Sequence, residues 1–414
     1  MKKVLLSAYA CSPFRGSEWN VGWSWATGLA QKGYKVFCVI NVEDQEDCEK
    51  EKKRLQLHNL TFVPIGLSYN LDKYLLNNSS KTIYLHYYLW KKKAANSIQK
   101  LHKKECFAIA HHVSYGSFQQ GSPLYKLENC KIIFGPVGGG QMALPIFKPY
   151  FGTSWRIEII RKYVSKFHMR YNHSLKATLK KATIILTANQ ETTALLKTSK
   201  FYKEGSDFYV SDSALPVRFE KNTFTPKLAK KEFRILWVGR LLARRGLELS
   251  LKSLSYLPDS IPYRLIIVGD GEQANKIDCW ITKYQLDKTK IEHLGWVAYD
   301  QMHQEYKNAD ILLFCPLRDT AGLQATEAMG FGLPVITLNI SGMRTIVPSN
   351  CGIKIDPTTT NGTAKDIALA IEQMYKDEDF RKKASENAFN EAIQNTWKRK
   401  IDRITRKFYE TKDK

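Results

Sequence analysis

The sequence holds no apolar run near the roughly 18 residues that a membrane-spanning helix needs. It also shows no repeat at a period of 20 to 50 residues, which excludes a solenoid. The eight cysteines, Cys11, Cys38, Cys48, Cys106, Cys130, Cys279, Cys315 and Cys351, include no CxxC pair. That argues against a zinc site and a disulfide framework, and for a reducing cytoplasm. The apolar stretch Val4 to Ala10 ahead of Cys11 is short for a secretion signal and is interrupted by Ser7. It reads instead as the first buried strand of a parallel sheet.

What is present is length and positive charge. A chain of 414 residues fits two domains of roughly 200 residues each. The net charge is +23, and residues 81–181 alone carry 18 basic and 3 acidic side chains. A concentration of this kind suits anionic lipid headgroups, phosphates or nucleic acid, or else is a solvated face. Within it, Tyr84, Tyr87, Tyr88, Leu89 and Trp90 precede three lysines, and Trp155, Ile159, Ile160, Tyr163 and Phe167 alternate with cations. Such interleaving fits an anionic membrane surface. Apolar residues turned to the core with a basic back give the same period.

Short apolar strands alternate with longer amphipathic stretches twice over, which predicts an α/β fold of two Rossmann-like domains facing a cleft. The expected boundaries are 1–212 for an acceptor domain, 213–232 for a linker rich in charge around Pro216 and Pro226, and 233–390 for a nucleotide-sugar domain. A terminal helix over 391–414 carries Trp397, Ile401, Ile404 and Phe408 on one face, and we expect it to pack back toward the first domain.

The stretch from Gly239 to Gly246 leaves a strand and enters a helix. Arg240 and Arg245 on that turn suit a diphosphate, since guanidinium forks hold phosphate oxygens in bidentate geometry. Arg244 would point away from them, as part of a basic surface turn. Downstream, Asp319 to Met329 ends another strand and opens a helix. The N–H groups of Ala321, Gly322 and Leu323, beside Thr320, would favour an anion. Glu327 would accept from a ribose diol, and Asp319 would meet a sugar's hydroxyls.

In the first half, Gly16 sits on the loop after the first strand, where it either lets the backbone approach phosphates or serves a tight turn. His111 and His112 end the fourth strand candidate; adjacent strand residues face opposite ways and cannot jointly chelate a metal. Gly138, Gly139 and Gly140 follow a strand with no GK[ST] after them, so they are not a Walker loop. Asp377-Glu378-Asp379, the one DxD match, reads as a solvated turn between helices.

The order of these motifs resembles family 4 of the GT-B fold, the large group of retaining glycosyltransferases, in its bacterial polysaccharide and glycolipid branch. The likeness rests on Gly239 to Gly246, on Gly269-Asp270-Gly271, on Asp319 to Val335 with Gly332-Leu333-Pro334, and on Gly135 to Gly140. It implies that Arg240 and Arg245 hold the diphosphate, Glu327 the ribose, and Asp319 the transferred sugar. It further implies that Gly16 nears the donor, that His112 lies beside the reacting sugar, and that Gly138 to Gly140 shape the acceptor side. The base would lie near Gly295 to Val297.

Arg245 stands where the family has Lys, and Asp319 and Ala321 where it has Glu and Phe. The expected donor is a nucleotide-sugar, with no metal or other cofactor. The expected acceptor is a glycan or lipid-linked sugar at the cytoplasmic face of a membrane. The alternatives are a nucleotide-sugar epimerase on the same fold, a donor-binding protein without catalysis, and a basic nucleic-acid-binding protein, though no nucleic-acid partner is expected.

Overall fold

The computed structural model describes residues 1–16, 18–77, 82–220, 222–224, 232–298 and 301–410. Ser17, 78–81, 221, 225–231 of the expected linker, 299–300 and 411–414 lie outside them.

The chain forms two compact units: Met1–Gly140, Lys162–Asp212 and Trp397–Lys414 make the first, and Gln141–Arg161 with Ser213–Thr396 make the second. The first contains β1 (Lys3–Ala8), β2 (Lys35–Asn41), β3 (Leu60–Ile65), β4 (Ile109–Ser114), β5 (Lys131–Val137), β6 (Ile184–Thr187) and β7 (Asp207–Tyr209). These pair in parallel in the order β3-β2-β1-β4-β5-β6-β7. The second holds β8 (Phe233–Val238), β9 (Tyr263–Val268), β10 (Ile291–Gly295), β11 (Ile311–Leu313), β12 (Val335–Leu338) and β13 (Gly352–Ile355), all parallel, in the order β10-β9-β8-β11-β12-β13.

Both orders reverse direction between their first and fourth strands, and ligands of open α/β sheets bind at such a switch point, outside the carboxyl ends of the strands. The central strands are mainly apolar because both sheet faces are covered, with His111 and His112 of β4 as buried exceptions. In the second unit Ile235, Trp237, Leu265 and Ile267 enter one core, while Leu236, Val238, Ile266 and Val268 enter another on the opposite face.

Two boundaries differ from those expected. Residues 141–161 belong with the second unit rather than the first. There Phe147, Tyr150 and Phe151 join its core, and the Tyr150 hydroxyl donates to the carbonyl of Thr360 at 3.4 Å. Residues 391–396 also stay with the second unit, where Leu215 bridges to Thr396. From Trp397 onward the chain packs in the first unit: Lys32 pairs with Asp402 at 2.7 Å, and the Tyr409 hydroxyl meets His111 Nδ1 at 2.7 Å. Trp397, Ile401, Ile404 and Phe408 are all buried, as their spacing predicts.

Candidate functional site

In the second unit, β8 runs into Gly239-Arg240 and a short turn, Ala243–Arg245, before the helix Leu247–Leu254. Gly246 between them is left-handed (φ 76°), and a Cβ there would collide with the carbonyl of Cys315, so the loop from β8 lies tight against the loop from β11. The turn after β9 is bound in too: Leu241 N–H donates to Asp270 O at 2.9 Å. Gly269 (φ 135°) leaves no room for a Cβ beside Gly239 O. Three loops from adjacent strands thus form one rigid rim around the switch point.

The rim carries a buried charge cluster. Arg245 donates from Nη1 to Asp319 Oδ2, and its guanidinium lies 5.7 Å from the centre of the Phe314 ring. Arg244 does not point away, as the sequence suggested. Its Nη1 is 3.8 Å from Asp319 Oδ1, because the tight turn brings both arginines to one carboxylate. Burial, then the charge of Arg245, lowers the Arg244 pKa to about 10, with Asp319 opposing; it stays charged at neutral pH. Beside them Arg318 Nε is 2.9 Å from Glu158 Oε2. The pair is close but misaligned for a hydrogen bond. Arg240 is exposed and makes no ion pair among the described residues. Arg240, Arg244 and Arg245 on the β8 loop outnumber Asp319, the one carboxylate that Arg244 and Arg245 share, and guanidinium charge suits a diphosphate.

The remaining residues expected here divide into three groups. Thr320 Oγ1 accepts from Gln141 Nε2 at 2.7 Å, and its N–H donates to Asp319 Oδ1 at 2.8 Å. Ala321 is buried, Gly322 is the left-handed cap of the helix Leu323–Met329, and Leu323 is half-buried. Glu327 is buried and accepts from the Tyr306 hydroxyl at 2.9 Å. Val297 packs against the core at the end of β10, next to Trp296, which is 75% exposed. Gly269 N–H donates to Gly295 O at 2.8 Å, so this position continues the same rim.

At the first unit's switch point the chemistry differs. His112 is fully buried: Nδ1 is 3.2 Å from Ser7 Oγ and Nε2 is 3.1 Å from Tyr115 O. Burial lowers its pKa to about 4 and that of His111 to about 3, so both rings are neutral at physiological pH. The strand end therefore presents no free imidazole nitrogen. Gly16 is exposed, with nothing within 4 Å of a Cβ, so sterics do not demand glycine there. Glu18 accepts from Gly116 N–H, and burial raises its pKa. Gly138 N–H donates to Gly116 O at 2.8 Å, Gly140 N–H donates to Thr192 Oγ1 at 3.0 Å, and Gly139 lies between them, so these glycines brace the β4 and β5 loops.

Sequence reasoning missed three groups here. Gln141 and Glu158 reach the second unit's rim from a segment assigned to the other domain, and no local signal marks them. In the first unit, the Tyr9 hydroxyl meets His86 Nδ1 at 2.7 Å, and His86 Nε2 meets Asp72 Oδ1 at 2.7 Å. Around this relay Tyr87, Trp90 and Tyr115 pack on Tyr9. Tyr87 and Trp90 are thus core residues, whereas Tyr84 and Tyr88 of the same stretch are exposed. Asp377 caps the helix Glu378–Gln394 through Phe380 N–H at 2.9 Å, as a turn between helices should.

Residues 218–391 match the family described as glycosyl transferases group 1. An uncharacterized glycosyltransferase of Methanocaldococcus jannaschii is 28% identical over 159 residues, 38% of this chain and 39% of that protein. The capsular polysaccharide biosynthesis glycosyltransferase CapM of Staphylococcus aureus is 27% identical over 176 residues, 40% and 45% respectively. The chain thus spans less than half the length of these curated relatives. The structure of Anabaena HepE in complex with UDP-glucose is similar in fold, with a TM-score of 0.61 at 13% identity, covering 99% of this chain and 100% of that one. The two-domain α/β architecture is that of GT-B glycosyltransferases.

Proposed function

We propose, from the match of residues 218–391 to the glycosyl transferases group 1 family, that this protein moves a sugar from a nucleoside-diphosphate donor to a hydroxyl of a growing, lipid-linked cell-surface glycan, with retention of anomeric configuration. The observation that carries this reading is the buried cluster in which Asp319 holds Arg245 and Arg244 at the β8 and β11 loops. A carboxylate so placed fixes the guanidinium forks and leaves the rim positive overall. Arg240 and Arg245 then hold the diphosphate, Glu327 the ribose, and Trp296 with Val297 the base. Asp319 acts first by holding Arg245, and touches the sugar second.

In the reaction the bond from the anomeric carbon to the diphosphate oxygen breaks first, and its electron pair stays on the diphosphate. The acceptor hydroxyl attacks from the same face, and its proton passes to the departing phosphate oxygen. Catalysis is mostly electrostatic, with fixed cations facing the charge that grows on the leaving group. We read the step as metal-independent because the arginines supply the countercharge that a divalent ion would. Eight free thiols suit a cytoplasmic setting, and among the described residues no helix is long and apolar enough to cross a membrane.

The test is transfer from UDP-, GDP- and ADP-sugars to simple glycoside acceptors, with the product's anomeric configuration read by proton NMR, with and without EDTA. Retention unaffected by EDTA is expected. An inverted product, EDTA-sensitive transfer, or an epimerised donor without transfer contradicts the reading.

A further inference from the structure

The helix Trp155–Tyr171 is amphipathic the wrong way round for a globular protein. Its two fully buried side chains are polar, since Glu158 pairs with Arg318 and Ser165 accepts from Gln119 Nε2 at 2.8 Å, and only Trp155 and Met169 pack partly buried against the cores. Its outward face carries Ile157, Ile160, Val164, Phe167 and Tyr171, spaced alternately three and four residues apart, with Tyr163 beside them, each 38–65% exposed. That spacing sets them in one stripe along the helix. Lys162, Lys166 and Arg170, four residues apart and all exposed, form a parallel row of charge along one edge, and exposed Arg156 lies near the start. At about 1.5 Å per residue, 17 residues make a rod of about 25 Å.

We infer that this helix is a membrane-docking element: it lies along an anionic lipid surface with Ile160, Val164, Phe167 and Tyr171 set into the acyl boundary and Lys162, Lys166 and Arg170 on headgroup phosphates. Charge selects this occupant. Packing the stripe against an antiparallel copy would set the cation rows of two protomers together, and a parallel copy would leave both rows without an anionic partner. A single-stranded nucleic acid would use aromatic platforms, whereas Ile157, Ile160 and Val164 offer no π face. A lipid surface meets both rows at once. The inference adds the place of contact to the lipid-linked acceptor proposed above, on which its biological sense rests. Its test uses neither donor nor acceptor.

The experiment is flotation of the full chain with phosphatidylcholine vesicles, with and without phosphatidylglycerol, for wild type, Ile160→Ser/Phe167→Ser and Lys162→Glu/Lys166→Glu. Thermal shift with UDP, GDP or ADP on the same samples reports the donor site independently. Wild type is expected to float only with anionic vesicles, and each double variant to lose at least tenfold in partitioning while its nucleotide response is unchanged. Equal binding to neutral vesicles overturns the inference. So does full binding by either double variant, binding to single-stranded oligonucleotides without vesicle binding, or a dimer that Ile160→Ser/Phe167→Ser converts to monomer. No response of wild type to UDP, GDP or ADP, with vesicle binding intact, contradicts the donor reading and leaves docking standing.

Discussion

The two switch points share a topology and differ in chemistry. At β8 and β11 the rim is built from arginines tied to buried carboxylates, charge that no physiological pH removes. At β1 and β4 it is built from tyrosines, neutral histidines and a carboxyl whose proton burial retains more readily. One suits a fixed anion; the other suits an uncharged, hydroxyl-rich ligand. On the function proposed above, the same strand order serves a donor and an acceptor because the loops, not the sheets, carry the specificity.

The sharpest way to break this contrast is through the glycines. Gly269→Ala places a Cβ against Gly239 O in a backbone conformation that alanine resists, and should cost the second unit about 3 kcal/mol in stability along with its nucleotide response. Gly16→Ala, in open space, should leave the melting temperature within about 2 °C, since substitutions away from packed features cost little. Equal melting shifts in calorimetry would dissolve the difference in rigidity between the rims.

Next in size, Arg245→Ala should weaken UDP binding by roughly 30- to 150-fold, the worth of one hydrogen-bonded charge. Arg245→Lys should recover part of that, because the charge returns without the fork. Arg244→Ala, whose guanidinium is farther from Asp319, should cost about five- to tenfold by the same measure. If Arg244→Ala binds UDP as tightly as wild type, the cluster has one functional arginine fewer. The smallest expected effect is on pH dependence. With its pKa held near 4 by burial, His112 gains a proton only as pH falls through about 4. The transfer rate should therefore show no His112 step between pH 6 and 8. A step near 6.5 that vanishes in His112→Gln would contradict the buried, neutral ring.

Much of this was legible in advance, for identifiable reasons. Central strands such as Val4 to Tyr9 and Arg234 to Val238 announce themselves as mainly apolar runs, because a parallel sheet is covered on both faces. Edge strands β7 and β13 do not. The first has three half-buried residues and the second includes Lys354. Arg245, Asp319 and Glu327 could be singled out because each lies on a loop after a strand or in the helix that follows it. The direction of Arg244 and the arrival of Gln141 and Glu158 were not, since they depend on contacts far apart in sequence. Periodicity likewise gave one pattern for two aromatic segments, of which Tyr87 and Trp90 went to the core and Tyr163 and Phe167 to solvent.

Arg240 offers the most direct measurement. It is exposed and makes no ion pair among the described residues, so its removal tests the ligand and not the fold. Titration calorimetry of UDP, GDP and ADP into wild type and Arg240→Ala should show one nucleotide saturating a single site per chain, and at least tenfold weaker binding in the variant at unchanged melting temperature. If no nucleoside diphosphate binds, or if Arg240→Ala binds as tightly as wild type, the diphosphate does not sit at this rim.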